Sequence, residues 1–583
     1  MAEYGSDLIV DLLKALDIEY VALNPGASFR GLHDSIVNYG GNKNPEIILC
    51  CHEAIAVSVA HGYCKAAMRP MAAAVHDIVG LLNSTMSVFV AWLDQSPVLV
   101  LGGTGPMAHE MRRPYRDWIH TALVQGNAVR DYVKLDDQPT SLSSLPGSLL
   151  RAYRVAMTEP KAPVYVCLDA ELQETRLEQQ IAVHSVNDYA PPSQPQADPS
   201  ALAKAAELLV NAERPVIIAD YLGRNQQAVK SLVELAEILA LPVIDFGSRG
   251  NFPNNHPLDL TDAEGELIRE ADVILALDMG DLETALTELD SATRKVVTVT
   301  PEYTKVIHIT LGDIALKSWC QHIGKLRAVH VPILADTSLA LPSLIKQCRQ
   351  LIKEESREKY KQRFAALKAR HDSLREEWIE KAKRTKEEKP ISAPLLAIEL
   401  WDQIKDEDWV LVGTPHTMLN WTRRLWDGLT PSRWIGAHGG GGAIGYGVGH
   451  CFGAALAYGK LGRLCIDLQP DGDLLYTPSA LWTLAHHPVP LLVVMFNNRS
   501  YYNSELHQER MARLRGRSLD NKHIGTRLEN PTVDYAALSR SFGLYAEGPI
   551  EDPHLVGPAF KRAVEYVKEK RAGALIDIIT QPR

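Results

Sequence analysis

One pattern, repeated along the whole chain, most limits how it can fold. A short, unbroken apolar run stops at a Gly, Asp or Asn turn, and a helix-like stretch follows. The runs are "YVALN", "EIILC", "MAAAVH", "PVLVLGG", "PVYVCLD", "PVIIAD", "LPVIDFG", "DVILALD", "KVVTVT", "WVLVG", "RLCIDL", "PLLVVMF" and "ALIDII". They are continuous rather than alternating and rich in Val, Ile and Leu, as parallel strands covered on both faces must be. Helices between them supply the crossovers that parallel strands need. The fold class expected is therefore α/β, with doubly wound parallel sheets. At 583 residues the chain is too long for one core, and about three or four domains are expected. Two breaks divide it: the Pro-rich linker "NDYAPPSQPQADPS" (Asn187 to Ser200) and the charged, helical stretch from Lys353 to Pro390. The units expected are 1–186, 195–352 and 391–583, with a charged connector over 353–390.

Composition excludes some functions. Apolar residues make up 46%, charged residues 23%, and the formal net charge is −10. This balance suits a globular protein and argues against a nucleic-acid or anionic-membrane partner. "MAEYGSDLIVDLLKALDIEY" has no basic segment before an apolar one, so it reads as an amphipathic helix opened by Ser6 rather than a signal peptide. No apolar run reaches the roughly 18 residues of a membrane span. The eight cysteines form no C-x-x-C pair, and they read as buried reduced thiols of a cytoplasmic protein.

Two polar clusters carry the chemistry. In "LCIDLQPDGDLLYTPSALWTLAHHPVPLLVVMFNNRSYYN" (Leu464 to Asn503), one strand ends in Asp-Gly-Asp and the next in Asn-Asn. A helix between them, with Thr477 as N-cap and Pro478 at its first position, brings both loops to the carboxyl edge of one parallel sheet. Asp471, Asn498 and a backbone carbonyl such as that of Ser500 then suit Mg2+, which takes few protein ligands and completes its shell with phosphate and water. Gly472 lets the backbone approach an anion.

This constellation resembles that of enzymes using thiamine diphosphate, which carry G-D-G, about two dozen residues, then N-N. The chain departs by placing Pro470 at the first Gly. The resemblance implies that Asp471 and Asn498 ligate the metal, and that Gly472, Asp473 and Thr414 or His416 lie against the diphosphate. It also implies an activating carboxylate that protonates the cofactor's pyrimidine. Glu53, after the strand in "EIILCCHEAIAVSVAHGYCKA", stands in that setting. "AHGGGGAIGYGVGHCFGAALA" matches the segment that presents a carbonyl and a bulky side chain to the cofactor, assigned to Gly442 and Ile444.

The first unit resembles the benzoylformate decarboxylase and acetolactate synthase branch. There His76 stands where the decarboxylase has a proton-relaying His, and Ser28, after the "NPG" turn, is a substrate contact. In "RRPYRDWIHTALVQGNAVRDYVKLDDQP", Asp117, Trp118 and His120 could line the substrate channel, with Arg112 or Arg113 binding a carboxylate. Asp77 either tunes His76 or caps the following helix. The resemblance implies a pyrimidine-binding unit, a middle unit and a diphosphate-binding unit. Relatives hold FAD or ADP in the middle unit, or nothing. With no G-x-G-x-x-G there, FAD is not assigned. Sites between subunits imply a homodimer or homotetramer.

The activity implied is decarboxylation of a 2-oxo acid through a C2 ylid and an enamine, giving an aldehyde or, with a carbonyl acceptor, a 2-hydroxyketone. The alternatives are acetolactate-synthase-like condensation of two 2-oxo acids, a non-catalytic cofactor-binding paralogue, and a generic sugar- or nucleotide-binding α/β protein.

Overall fold

In the computed structural model, residues 1–183, 185–315, 326–437 and 445–582 are described. Three parallel sheets dominate. The first contains β1 (Tyr20–Leu23), β2 (Glu46–Leu49), β3 (Ala72–Val75), β4 (Leu99–Thr104), β5 (Asp136–Asp137) and β6 (Val164–Asp169), in the order β2-β1-β3-β4-β6-β5. The second contains β7 (Pro215–Ala219), β8 (Val243–Asp245), β9 (Val273–Leu277), β12 (Lys305–Thr310) and β13 (Val331–Leu334), in the order β13-β12-β9-β7-β8. The short strands β10 (Thr287–Leu289) and β11 (Val296–Thr298) pair antiparallel beside it. The third contains β14 (Trp409–Leu411), β15 (Leu464–Pro470), β16 (Leu491–Asn497), β17 (Tyr545–Ile550) and β18 (Ala574–Ile579), in the order β14-β15-β16-β18-β17.

Strand period explains why the runs are continuous. In the first sheet Ala22, Ala73, Val75 and Val100 point into one core, while Val21, Leu23, Ala72, Ala74 and Leu101 point into another. The third sheet divides likewise, with Val410, Val493 and Met495 on one face and Leu411, Val494 and Phe496 on the other. Both faces are dry, so neither can be polar. The core formed by Ala22 and Val75 is the same one that receives Val410 and Val493. The first and third units therefore share a hydrophobic interior.

Two helices make that junction. Glu53–Ala67 is apolar on nearly all sides, begins at His52, whose Nδ1 accepts from Ala54 N–H at 3.1 Å, and stops at Met68 in the left-handed region. It crosses Gly447–Gly459 at backbone contact: a Cβ on Gly62 would lie 1.9 Å from the His450 carbonyl oxygen, and one on Gly453 would lie 1.9 Å from that of Val59. Beside the crossing is a fully buried ionic cluster. Lys65 Nζ reaches Asp94 at 2.7 Å and the Ala437 carbonyl at 2.6 Å, while Arg249 of the second unit donates to the Asp94 carbonyl at 3.1 Å. Burial pushes Lys65 down to about 8 despite Asp94.

The connector is a 31-residue helix, Glu354–Arg384, with only Tyr360, His371 and Ala382 buried. No helix among the described residues is long and apolar enough to cross a membrane.

The structure corrects three local expectations. "KVVTVT" does not join a parallel sheet; it forms β11, which is exposed, and the sheet instead takes "KVIHIT" and "VPIL", where His308 and Pro332 interrupt the apolar signal. The first helix is Gly5–Ala15 and follows Tyr4, so Ser6 lies inside its first turn. The helix expected to open at Thr477 begins at Ala480, because turns over 475–479 intervene and the Thr477 hydroxyl bonds the Gly445 carbonyl at 2.7 Å.

Candidate active site

The Asp471 and Asn498 loops meet at the carboxyl edge of the third sheet. β15 and β16 are parallel neighbours paired to Pro470↔Phe496, so their following loops emerge side by side. One backbone N–H measures the approach. Ser500 N–H donates to Asp471 Oδ2 at 3.2 Å and to Asn498 Oδ1 at 3.1 Å. Asp471 is 2% exposed, its Oδ1 accepts from Gly472 N–H at 2.8 Å, and Tyr535 OH bonds its carbonyl at 3.1 Å. A buried carboxylate and an amide oxygen, converging on one donor with no nitrogen or sulfur ligand among them, form a set that a hard cation prefers. These residues fit Mg2+.

Neighbouring residues have been given other tasks. Asp473 Oδ1 accepts from Gly445 N–H at 2.5 Å, and its Oδ2 accepts from Gly447 N–H at 3.2 Å and Gln469 Nε2 at 2.6 Å. It thus holds the start of the Gly447–Gly459 helix. Gly472 also has a steric reason to be small: a Cβ there would lie 2.5 Å from the Tyr501 ring. Thr414 is buried and His416 exposed just beyond β14. Gly442 and Ile444 lie outside the described residues.

Glu53 begins its helix 6% exposed, with Asn83 Nδ2 donating to its Oε2 at 3.3 Å. Asn83 belongs to the Asp77–Leu93 helix, as does Gly80, where a Cβ would lie 3.0 Å from Glu53 Cγ. Sequence reading missed both residues. The available signal was an amide side chain and a glycine inside a mostly apolar helix, where Ser84, Thr85 and Ser87 are also polar.

A second cluster stands where the first sheet reverses strand order, between β1 and β3, the usual place for a ligand in such sheets. Ser28 Oγ lies 2.9 Å from His76 Nδ1 and accepts from Asp77 N–H at 3.2 Å. The His76 and His120 rings are 5.5 Å apart. Glycines make the room: a Cβ on Gly26 would lie 2.5 Å from His76 Cγ, and one on Gly103 would lie 2.0 Å from Ser28 Oγ. Asp77 is 1% exposed, and burial raises its carboxyl above the usual range, against His76, Ser28 and His120.

Two expectations for the following loop are corrected. Trp118 is 80% exposed and lines no enclosed channel within one chain. Arg113 is committed to Asp117 at 2.7 Å, and Arg112 donates to the Pro106 and Met107 carbonyls, so both guanidiniums are occupied.

Comparison with known proteins agrees with this layout. Residues 4–127 match the N-terminal TPP binding domain of thiamine pyrophosphate enzymes, 202–344 their central domain and 415–578 their C-terminal TPP binding domain. The chain is 24% identical to a probable acetolactate synthase large subunit of Methanocaldococcus jannaschii, over 99% of this chain and 92% of that protein. It is also 24% identical to the acetolactate synthase large subunit of Lactococcus lactis, over 85% and 81%. Benzoylformate decarboxylase from Polynucleobacter necessarius shares the fold with a TM-score of 0.76 at 19% identity, over 99% of both chains. A putative thiamin diphosphate-dependent enzyme from Mycobacterium smegmatis does so with a TM-score of 0.75 at 19% identity, over 100% of both. With three consecutive family domains laid on three parallel sheets, the chain belongs to the thiamine pyrophosphate enzyme family.

Proposed function

We propose that this protein uses Mg2+ and thiamine diphosphate to decarboxylate a 2-oxo acid, releasing the acyl unit as an aldehyde or passing it to a second carbonyl to form a 2-hydroxyketone. The convergence of Asp471 and Asn498 on the Ser500 N–H carries this reading. In the loaded enzyme these two side chains would hold the metal, with Ser500 contributing its carbonyl. Thr414, His416, Gly472 and Asp473 would frame the diphosphate, Asp473 by holding the turn at Gly445. The cofactor supplies the carbon nucleophile and the electron sink that loss of CO2 requires.

The chain's own groups handle protons. Glu53, dry and held by Asn83, would stand against the cofactor's pyrimidine and exchange a proton with it. With Ser28 Oγ accepting from Asp77 N–H, its hydroxyl proton can be given to His76 Nδ1, which leaves the ring's own proton on Nε2. His76 would deliver that proton to the substrate, with His120 beside it, while Ser28 and Asp77 position the ring.

Apolar side chains around this edge support assembly into a homodimer or homotetramer. Val79, Leu82 and Met86 lie exposed on one stripe of the Asp77–Leu93 helix, near exposed Trp118, Ile119 and Leu123. A second copy covering them would bury both the patch and the site. Trp118 would then meet a substrate or partner only in the assembly.

The test is to incubate the purified protein with thiamine diphosphate, Mg2+ and a panel of 2-oxo acids, measuring CO2 and products. Absence of both CO2 and acyloin with every member of the panel would refute the proposal. Condensation of two 2-oxo acids is the second reading, favoured by acetolactate synthase relatives that align over 85% to 99% of the chain. A 2-hydroxy-2-alkyl-3-oxo acid as the main product would select it.

A further inference from the structure

His76, Asp77 and His120 have a chemistry that proton transfer does not exhaust. His76 follows β3, Asp77 opens the next helix and His120 ends the short Arg116–His120 helix. One ligand atom from each lies within 4.8 Å of the others, and among the described residues no other group of three or more His, Cys, Asp or Glu is so placed. Asp77 Oδ1 is buried with no hydrogen-bond partner, and so is His120 Nδ1. An unpartnered carboxylate oxygen in a dry site is costly unless a cation meets it. No Lys or Arg donates a hydrogen bond to it: Arg113 acts on it through space but donates to Asp117, and Arg112 donates to backbone carbonyls.

We propose that His76, Asp77 and His120 form a binding site for a divalent transition-metal ion, specifically Zn2+, separate from the position between Asp471 and Asn498. Two imidazoles and one carboxylate are the donors that zinc accepts when it keeps a fourth position open. Mg2+ prefers an all-oxygen set and has its own place in the third unit. Tetrahedral zinc sets its ligand atoms roughly 3.4 Å apart, so side-chain rotations closing about an ångström complete the site. When His76 Nε2 ligates zinc, the ring's one proton sits on Nδ1 and donates to Ser28 Oγ at 2.9 Å, the reverse of the catalytic tautomer, so Ser28 is the outer partner that orients the ligating ring. An ion here takes both imidazoles out of proton transfer. On the function proposed above, Zn2+ therefore inhibits turnover, and this consequence alone rests on that reading.

The experiment uses the full chain loaded with thiamine diphosphate and excess Mg2+, in a Cys51→Ser background, because Cys51 is an exposed thiol. Zn2+ binding is measured by equilibrium dialysis, and Co2+ substitution by its visible absorption. The expected result is one Zn2+ per chain and a visible Co2+ spectrum typical of low coordination. Asp77→Asn and His120→Gln should each weaken Zn2+ by roughly a hundredfold while leaving the rise in melting temperature with thiamine diphosphate intact. His120→Gln alters a half-exposed residue and serves if Asp77→Asn does not fold. Zn2+ bound equally well by His120→Gln, or not bound by the parent protein, overturns the site. Zinc binding that depends on the triad in a protein inactive on every 2-oxo acid would refute the proposed function and leave the metal site standing.

Discussion

Gly26→Ala tests the His76 assignment without touching a functional group. Gly26 has φ −153 and ψ 148, extended backbone open to any residue, so alanine adds no torsional strain. What it adds is a methyl 2.5 Å from His76 Cγ and Nδ1 and 2.6 Å from His76 Cβ. Ordinary carbon contacts lie at about 3.5–4.0 Å, so the imidazole has to retreat by about 1 Å. It cannot absorb this by swinging its tip, because Cβ is also struck. The shift breaks the 2.9 Å contact with Ser28. Overpacking of this kind costs about 1–3 kcal/mol of stability, and a 1 Å misplacement of a reacting group costs about a hundredfold in rate. Steady-state turnover of the best 2-oxo acid should therefore fall by about a hundredfold, with cofactor affinity from thermal titration unchanged. If the rate falls because His76 moves, Gly26→Ala should add little to His76→Ala. A Gly26→Ala enzyme within a few-fold of the parent would refute the role of His76. Full additivity with His76→Ala would show that the methyl acts elsewhere.

Four further outcomes are expected. Glu53→Gln should lower turnover by about a thousandfold with an unchanged circular dichroism spectrum and melting temperature; retained activity would remove Glu53 from the mechanism. Asp471→Ala should abolish the melting-temperature rise produced by Mg2+ plus thiamine diphosphate, which for a parent saturated at a hundredfold over Kd reflects about 2.7 kcal/mol. Gly453→Ala should destabilise the protein by about 3 kcal/mol or more, read as a lower denaturant midpoint, because its Cβ would lie 1.9 Å from the Val59 carbonyl oxygen at the helix crossing. Glu19 joins the first and third units through Arg69, Tyr63 and Lys460; burial pushes its carboxyl up, but these hydrogen bonds outweigh it and hold it at about 2. The folded value is depressed, so the pairing stabilises fully above the ordinary pKa of 4.5 and is lost as pH falls toward 2. Glu19 is half-buried and its partners Arg69 and Lys460 reach solvent, so screening limits the effect to about 1 kcal/mol, and Glu19→Gln should flatten the acid limb of a pH–stability curve by that amount.

The amino-acid sequence alone determined the architecture and one half of the site. Runs such as "RLCIDL" and "PLLVVMF" are apolar throughout because both faces of each strand are covered, and parallel strands must be joined by crossovers. That rule puts the loops after β15 and β16 on one edge, so the meeting of Asp471 with Asn498 follows from local pattern. Strands that broke the pattern, such as "KVIHIT" with its central His308, were hidden until pairing with β9 and β13 supplied what propensity did not.

Only the tertiary structure decided the rest. Nothing in the spacing of Ser28, His76 and His120 says that their loops converge, because their distance in space depends on strand order rather than on separation along the chain. Nor does spacing reveal that Gly26 and Gly103 are empty so that His76 and Ser28 can fit, or that Gly472 yields to Tyr501. Spacing is equally silent on the backbone partners of Asp473 at Gly445 and Gly447. Periodicity reports which face of an element is dry. It is silent on which distant side chain occupies the space beside it, and a site is made of such neighbours.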